Sequence, residues 1–242
     1  MIKNPVIAAA VLALLSGTSL FAGQVEVGLR CIFWKPELAQ EKIYFKGAAG
    51  FYPVDSAIAS FPLKAQKYRG GNPIAIFRKD EKGEFVQCAE VEIPTGTSEA
   101  CVVFFSDKTL PEKHVSEFKP TLNVAAFDCS RRVGAGGQVV VANLAKSAFR
   151  VSAEGVPAVK VSPGETGVIF SLAKDAPAET LGVKIVSAAK TPEEAKKAWR
   201  YASAIIVVSG QCYFCIVGPA EKKDPAGLPR FEVISVRDER RS

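Results

Sequence analysis

The sequence predicts an all-β protein, an antiparallel β-sandwich of jelly-roll or immunoglobulin-like type, on three observations. Apolar and polar residues alternate with period two in short runs over most of the chain. Gly, Pro, Asn or Asp punctuates nearly every gap between the runs. About a dozen such runs follow one another, which is the spacing of a sandwich or barrel rather than of alternating strands and helices.

The chain opens differently. Lys3 precedes an unbroken apolar run from Val6 to Leu15, and Ser16, Gly17, Thr18 and Ser19 end it. Positive start, apolar middle and small polar close are the order of a secretory signal peptide. Ten residues rise about 15 Å as a helix, half of a bilayer core. A cleaved leader over residues 1–23 is therefore expected, with the cut after Ala22 or Gly23. The product would be secreted or periplasmic, with no membrane span once the signal is removed.

From Val25 the alternation begins: Val25, Val27, Leu29, Cys31 and Phe33 interleave with Glu26, Gly28, Arg30 and Ile32. Strands are expected next at Ile43 to Lys46, Ala57 to Leu63, Pro73 to Arg78, Phe85 to Ile93 and Ala100 to Ser106. The second half adds Leu122 to Asp128, Gln138 to Leu144, Phe149 to Ala153, Ala158 to Val161 and Thr166 to Leu172. Gly182 to Ala188, Tyr201 to Val208, Gln211 to Val217 and Phe231 to Arg237 complete the set. Between the strands around Cys88 and Cys101, Pro94-Thr95-Gly96 suits a type I turn with Gly in the left-handed position. A hairpin closed by Ile93 and Thr97 would place Cys88 and Cys101 on opposite faces. Ser209-Gly210 is a second tight-turn candidate. One short helix is expected near 192–198, because Thr191-Pro192-Glu193-Glu194 combines a capping Thr, a first-turn Pro and a Glu three residues after the cap.

Residues 107–121 are polar, contain Pro111, Pro120 and the single His, and mark a boundary. This divides the mature chain into an N-terminal β module over 24–106, a connector over 107–121, a C-terminal β module over 122–237 and a flexible tail over 238–242. The two halves look faintly alike, each with a Gly-rich turn before an apolar strand and each ending in an apolar strand containing Cys. Two related modules and one continuous sandwich over 24–237 both fit this pattern, and 242 residues accommodate either.

The formal charge is +6, about +5 without Lys3. The basic residues are scattered, and the one tight cluster, Arg237, Arg240 and Arg241, is diluted by Asp238 and Glu239. No nucleic-acid partner is expected from such a distribution.

Six cysteines follow the signal: Cys31, Cys88, Cys101, Cys129, Cys212 and Cys215. In an oxidising compartment all six are disulfide candidates, with pairing unknown among fifteen connectivities; buried free thiols are the equal alternative. Cys212-Tyr213-Phe214-Cys215 has redox or zinc spacing. Its apolar flanks predict a strand, however, where the two side chains point to opposite faces beyond disulfide reach. A zinc site would lack a second pair of ligands.

No catalytic, metal or cofactor assignment follows from the remaining residues. His114 lies in the polar connector, and no G-x-S-x-G elbow is present to recruit it. The run Gly134-Ala135-Gly136-Gly137 lacks the Lys-Ser/Thr and helix of a phosphate cradle. Acidic residues are plentiful, yet sequence alone does not show which two could face each other across a glycan. Trp34 and Trp199 are the aromatic candidates for stacking on a sugar ring, with core packing as the alternative. The expectation is an exported, non-enzymatic structural or interaction module, with a protein or polysaccharide of the envelope as partner. A carbohydrate-binding module or a carboxylate-based glycan hydrolase is the alternative.

Overall fold

The computed structural model describes residues 23–34, 42–58, 64–105, 122–130, 137–189, 198–220 and 231–238, with isolated positions between them. The expected leader up to Ala22, the whole 107–121 connector with His114, Gly134 to Gly136 and the end of the tail lie outside the described residues. So does most of the expected helix, of which Glu193 and Lys196 are described and helical, while Ala198 is described and lies outside any helix.

The protein is all-β, as the alternation requires. Its strands are β1 (Gly23–Phe33), β2 (Ile43–Gly47), β3 (Gly50–Pro53), β4 (Ser56–Ile58), β5 (Gln66–Asn72), β6 (Ile74–Lys79), β7 (Phe85–Val91), β8 (Glu99–Phe105) and β9 (Asn123–Asp128). They continue with β10 (Gln138–Asn143), β11 (Phe149–Ala153), β12 (Val156–Val161), β13 (Thr166–Ser171), β14 (Glu179–Ser187), β15 (Arg200–Val207), β16 (Cys212–Pro219) and β17 (Phe231–Asp238).

These strands form four sheets in two sandwiches. The first sandwich pairs an inner sheet, β4-β1-β8-β9 with β5 also on β1, with an outer sheet, β3-β2-β6-β7. The second pairs an inner sheet, β13-β10-β16-β17, with an outer sheet, β12-β11-β14-β15. Most ladders are antiparallel, but β1 runs parallel to β8 and to the short β4, and β10 runs parallel to β16. Alternation explains the layering. In β1, Leu29, Cys31 and Phe33 enter the core of the first sandwich with Phe45, Ile76 and Phe104. In the second sandwich, Val139, Val141, Phe149, Val151, Val183, Ile185 and Val207 do the same.

The opposite faces of the two inner sheets are apolar as well, and they pack on each other. Ile32, Trp34, Cys101, Val103, Phe105 and Phe127 of the first sandwich meet Val140, Ala142, Phe214 and Ile216 of the second. The result is a four-layer stack with a largely apolar seam in its middle. Strands apolar on both faces, such as β8 with Ala100 to Phe105 all buried, follow from this double burial.

The two sandwiches repeat one pairing scheme. β1, β2, β3, β5, β6, β7, β8 and β9 pair among themselves as β10, β11, β12, β13, β14, β15, β16 and β17 do. The parallel ladders match residue by residue, Gly28↔Glu99 to Phe33↔Phe104 against Gln138↔Cys212 to Asn143↔Val217. Each ladder is closed by the same backbone bonds: Gly28 N to Ser98 O and Trp34 N to Phe104 O in one, Gln138 N to Gln211 O and Leu144 N to Val217 O in the other. Among the described residues β4 has no counterpart in this scheme.

Several local expectations change. The turn at Pro94 to Thr97 forms, with Gly96 at φ 79° and Thr97 N bonded to Pro94 O, but it does not close a hairpin. β7 lies in the outer sheet and β8 in the inner one, so the turn crosses the sandwich. Ser209-Gly210 makes the equivalent crossing from β15 to β16. Asn123–Asp128, expected at the head of the second module, is hydrogen-bonded to β8 of the first. The polar connector therefore falls between two paired strands of one sheet. β5, Gln66-Lys67-Tyr68-Arg69-Gly70-Gly71-Asn72, carries no alternation signal and is nevertheless a full strand along β1. The Tyr68 ring lies along its own strand over Gly70, where a Cβ would overlap the ring, and its hydroxyl donates to the Lys46 or Gly71 carbonyl.

Candidate functional site

The seam and the two cores consume most of the large side chains. The exposed remainder is uneven, and its most organised part lies on the outer sheet of the first sandwich. Ile43 and Phe45 of β2 and Ile74 and Ile76 of β6 face the core, so Tyr44 and Phe77, directly paired across the two strands, face outward. Phe85 pairs with Lys79 on β6, and Phe51 of β3 pairs with Lys46.

These side chains form one connected platform. The Phe51 and Phe85 rings stack at 3.8 Å between centroids with 4° between planes. Phe77 meets Phe51 edge-on at 4.9 Å, and Tyr44 meets Phe85 edge-on at 5.0 Å. The Lys79 ammonium sits 5.1 Å from the Phe85 centroid and 5.9 Å from that of Tyr44, within cation–π range. Phe51 remains 36% exposed and the neighbouring Tyr52 39% exposed. Ring pairs of this kind stabilise a sheet, but an outward-facing group of four with a cation at its edge also leaves an apolar aromatic surface, of which Phe51 is the exposed member. Such a surface can receive the apolar face of a sugar ring, while the ammonium takes a hydroxyl or an anionic substituent. No protein-family model matches this chain, and no curated protein matches it. The chemistry of the site therefore rests on this geometry.

Trp34 and Trp199, the aromatic residues singled out in the sequence, lie elsewhere and are committed to packing. Trp34 is 5% exposed. Its ring enters the seam beside Phe105, over the recess left by Gly218 of the second sandwich, and its Nε1 donates to Glu232 Oε2 at 2.9 Å. Trp199 is half-buried at the end of the second core, against Phe149, Tyr201 and Phe231. The platform residues were missed because Tyr44, Phe51, Phe77 and Phe85 stand far apart in sequence and only the pairing of β3, β2, β6 and β7 joins them.

No disulfide links the described cysteines. Cys212 and Cys215 lie in strand β16, where Cys212 packs towards the seam and Cys215 enters the second core. The strand ends the redox reading of this pair, since the sulfurs face opposite ways. Cys88 enters the first core, and Cys101 enters the seam. Burial raises the thiol pKa of Cys31, with the Asp55 carboxylate adding to the effect, and raises that of Cys101 well above its ordinary value. Burial likewise pushes the Cys215 thiol up to about 11, against a partial offset from Ser235. Raised values keep these sulfurs protonated and poorly nucleophilic. Among the described residues, no three His, Cys, Asp or Glu side chains gather. A cleft of about 320 Å³ opens beside Gly23, Asn72 and Thr97, with Glu26 as its charged lining residue. It brings no second charged or aromatic group into position, so the ring platform is the better-equipped site.

Proposed function

We propose that this chain is an exported, non-enzymatic interaction module of the cell envelope or extracellular space, and that its partner is a polysaccharide. The observation that carries the reading is the outward platform of Phe51, Phe85, Phe77 and Tyr44 edged by Lys79. It is held on a rigid sheet whose other face is a packed core, so little ordering is needed on binding. The Lys3-led apolar segment supports export.

Affinity electrophoresis of the purified mature protein in gels containing a panel of neutral and acidic glycans tests this. At least one glycan should retard the protein, and Phe51→Ala should weaken retardation about tenfold or more, a loss of roughly 1.4 kcal/mol. The variant's melting temperature reports whether the sheet survives. Retardation unchanged by Phe51→Ala in a folded variant would remove the platform from the account. Sustained turnover of any glycan by the purified protein would overturn the non-enzymatic assignment.

A further inference from the structure

The outer sheet of the second sandwich differs in kind from that of the first. Its outward positions alternate with the buried Phe149, Val151, Leu181, Val183, Ile185, Ile205 and Val207. They include four cations, Arg150, Lys160, Lys184 and Arg200, all exposed. Cross-strand register places Lys160, Arg150, Val186 and Arg200 in one line running across β12, β11, β14 and β15. Three strand spacings make this line about 14 Å long. Lys184 stands diagonally beside Arg150, opposite Ser152. The floor between and beyond them is small and flat: Ser152, Gly182, Ala202 and Ala204.

Two features make this more than a solvated face. Arg150 and Lys160 are directly opposed, an arrangement of like charges that weakens a sheet. No ion pair joins Arg150, Lys160 or Lys184 to a carboxylate among the described residues. The nearest acidic side chains along these strands, Glu154 in the β11–β12 turn and Glu179 at the start of β14, stand at the margin. Opposed cations on a flat floor are the complement of a chain of anions.

We propose that this face binds an acidic polysaccharide, laid across β12, β11 and β14 so that successive carboxylate or sulfate groups meet Lys160, Arg150 and Lys184. A linear polymer fits because the cations form a line. Among the described residues the outward positions of these four strands carry no aromatic side chain on which the bases of a single-stranded nucleic acid would stack. Ile206, its one large exposed apolar residue, lies three pleats from Arg200 along β15, away from the charged line where a bilayer anchor would be wanted. The site is independent of the ring platform at the other end of the stack.

Binding of the full mature protein to polygalacturonate, dextran sulfate and neutral dextran, measured by fluorescence anisotropy at several NaCl concentrations, tests the proposal. Both acidic polymers should bind, dextran should not, and affinity should fall steeply with salt. The double variant Arg150→Gln/Lys184→Gln should lose tenfold or more in affinity. Lys67→Gln/Arg69→Gln, which removes the same charge from exposed positions of β5 in the first sandwich, should retain it. Because Arg150→Gln relieves the opposition with Lys160, the melting temperature of the first double variant should not fall, which separates lost binding from lost folding. Equal losses in both double variants, absence of binding at low salt, or tighter binding to phosphatidylglycerol vesicles or single-stranded DNA than to polygalacturonate would each overturn it. Loss of glycan binding by Phe51→Ala with acidic-polymer binding intact would leave this site standing on its own.

Discussion

Asn143 shows how one side chain can hold a corner of this fold. It is fully buried at the end of β10. Its amide donates to the Ser147 and Val161 carbonyls at 2.8 and 3.1 Å and accepts from Ala145 N at 3.0 Å. Asn143→Ala should cost about 2–4 kcal/mol in urea unfolding, since it strands a buried amide and two carbonyls; a loss below about 0.5 kcal/mol would mean water replaces the side chain. Cys215 makes a prediction at high pH. Its folded pKa of about 11 exceeds its ordinary value of 9.0, so the folded state keeps a proton that the unfolded chain releases. The resulting contribution to stability is complete below pH 9 and is lost as pH rises from about 9 to 11. Cys215→Ala should flatten the fall in melting temperature across that window, and an unchanged slope would exclude this thiol as its source. In the native state Cys31, Cys101 and Cys215 should resist iodoacetamide at pH 8 and react only in denaturant, read by peptide mass mapping. Burial of these residues was legible from their apolar strand settings. The role of Trp34 was not, because nothing near it in sequence announces Gly218 or Glu232.

Strand existence was written in the chain more clearly than strand partnership. Alternation fixes which residues share a face and is silent about which strand lies alongside. Phe149–Ala153 therefore emerges from sequence with its observed limits, while Pro94 to Thr97 looks like a hairpin and is a crossing. Turn chemistry specifies the local φ at Gly96, and the burial of β8 on both faces then draws it into the inner sheet. β5 was illegible for a different reason. Its apolar content is concentrated in Tyr68, whose ring covers the glycine two residues on and makes up for the missing side chain, an arrangement known to rescue glycine in sheets. Gly70→Val should therefore destabilise by about 1–3 kcal/mol through overlap with Tyr68. Tyr68→Phe, which keeps the ring and loses the hydroxyl bonds to Lys46 or Gly71, should cost less, about 1 kcal/mol. Equal effects would assign the strand's stability to the hydroxyl rather than to the packing.

At the scale of the whole molecule, two sandwiches of one topology are joined back to back. The faint likeness of the halves in sequence has a firm counterpart in their matching ladders. The faces that meet at the seam have diverged: Phe105 and Gly218 occupy equivalent places in the two ladders, one bulky and one absent, so that the first fills the second. A Cβ at Gly218 would approach Phe105 to 2.9 Å and Trp34 to 3.0 Å. Gly218→Val should loosen the seam, shift Trp34 fluorescence to the red and cost about 1–3 kcal/mol; an unshifted spectrum would show that the ring repacks without exposure. The candidate sites were invisible until this scale. The platform draws on residues from 44 to 85, and the basic site draws on residues 150, 160 and 184. A charge distribution that looks scattered along the chain is gathered by three strands onto one face.

The seam has a further consequence for how the protein behaves at high concentration. Each inner sheet finds its mate only because a single polypeptide tethers the two at high local concentration. Between two molecules, the same pair of surfaces is equally complementary. A crowded solution of intact chains held near their melting temperature should therefore yield reciprocal exchange, each molecule's front half docking on its neighbour's back half. Such species would be dimers, or open-ended strings where the exchange fails to close. A substitution that weakens the docking, such as Gly218→Val, should reduce their formation as measured by light scattering.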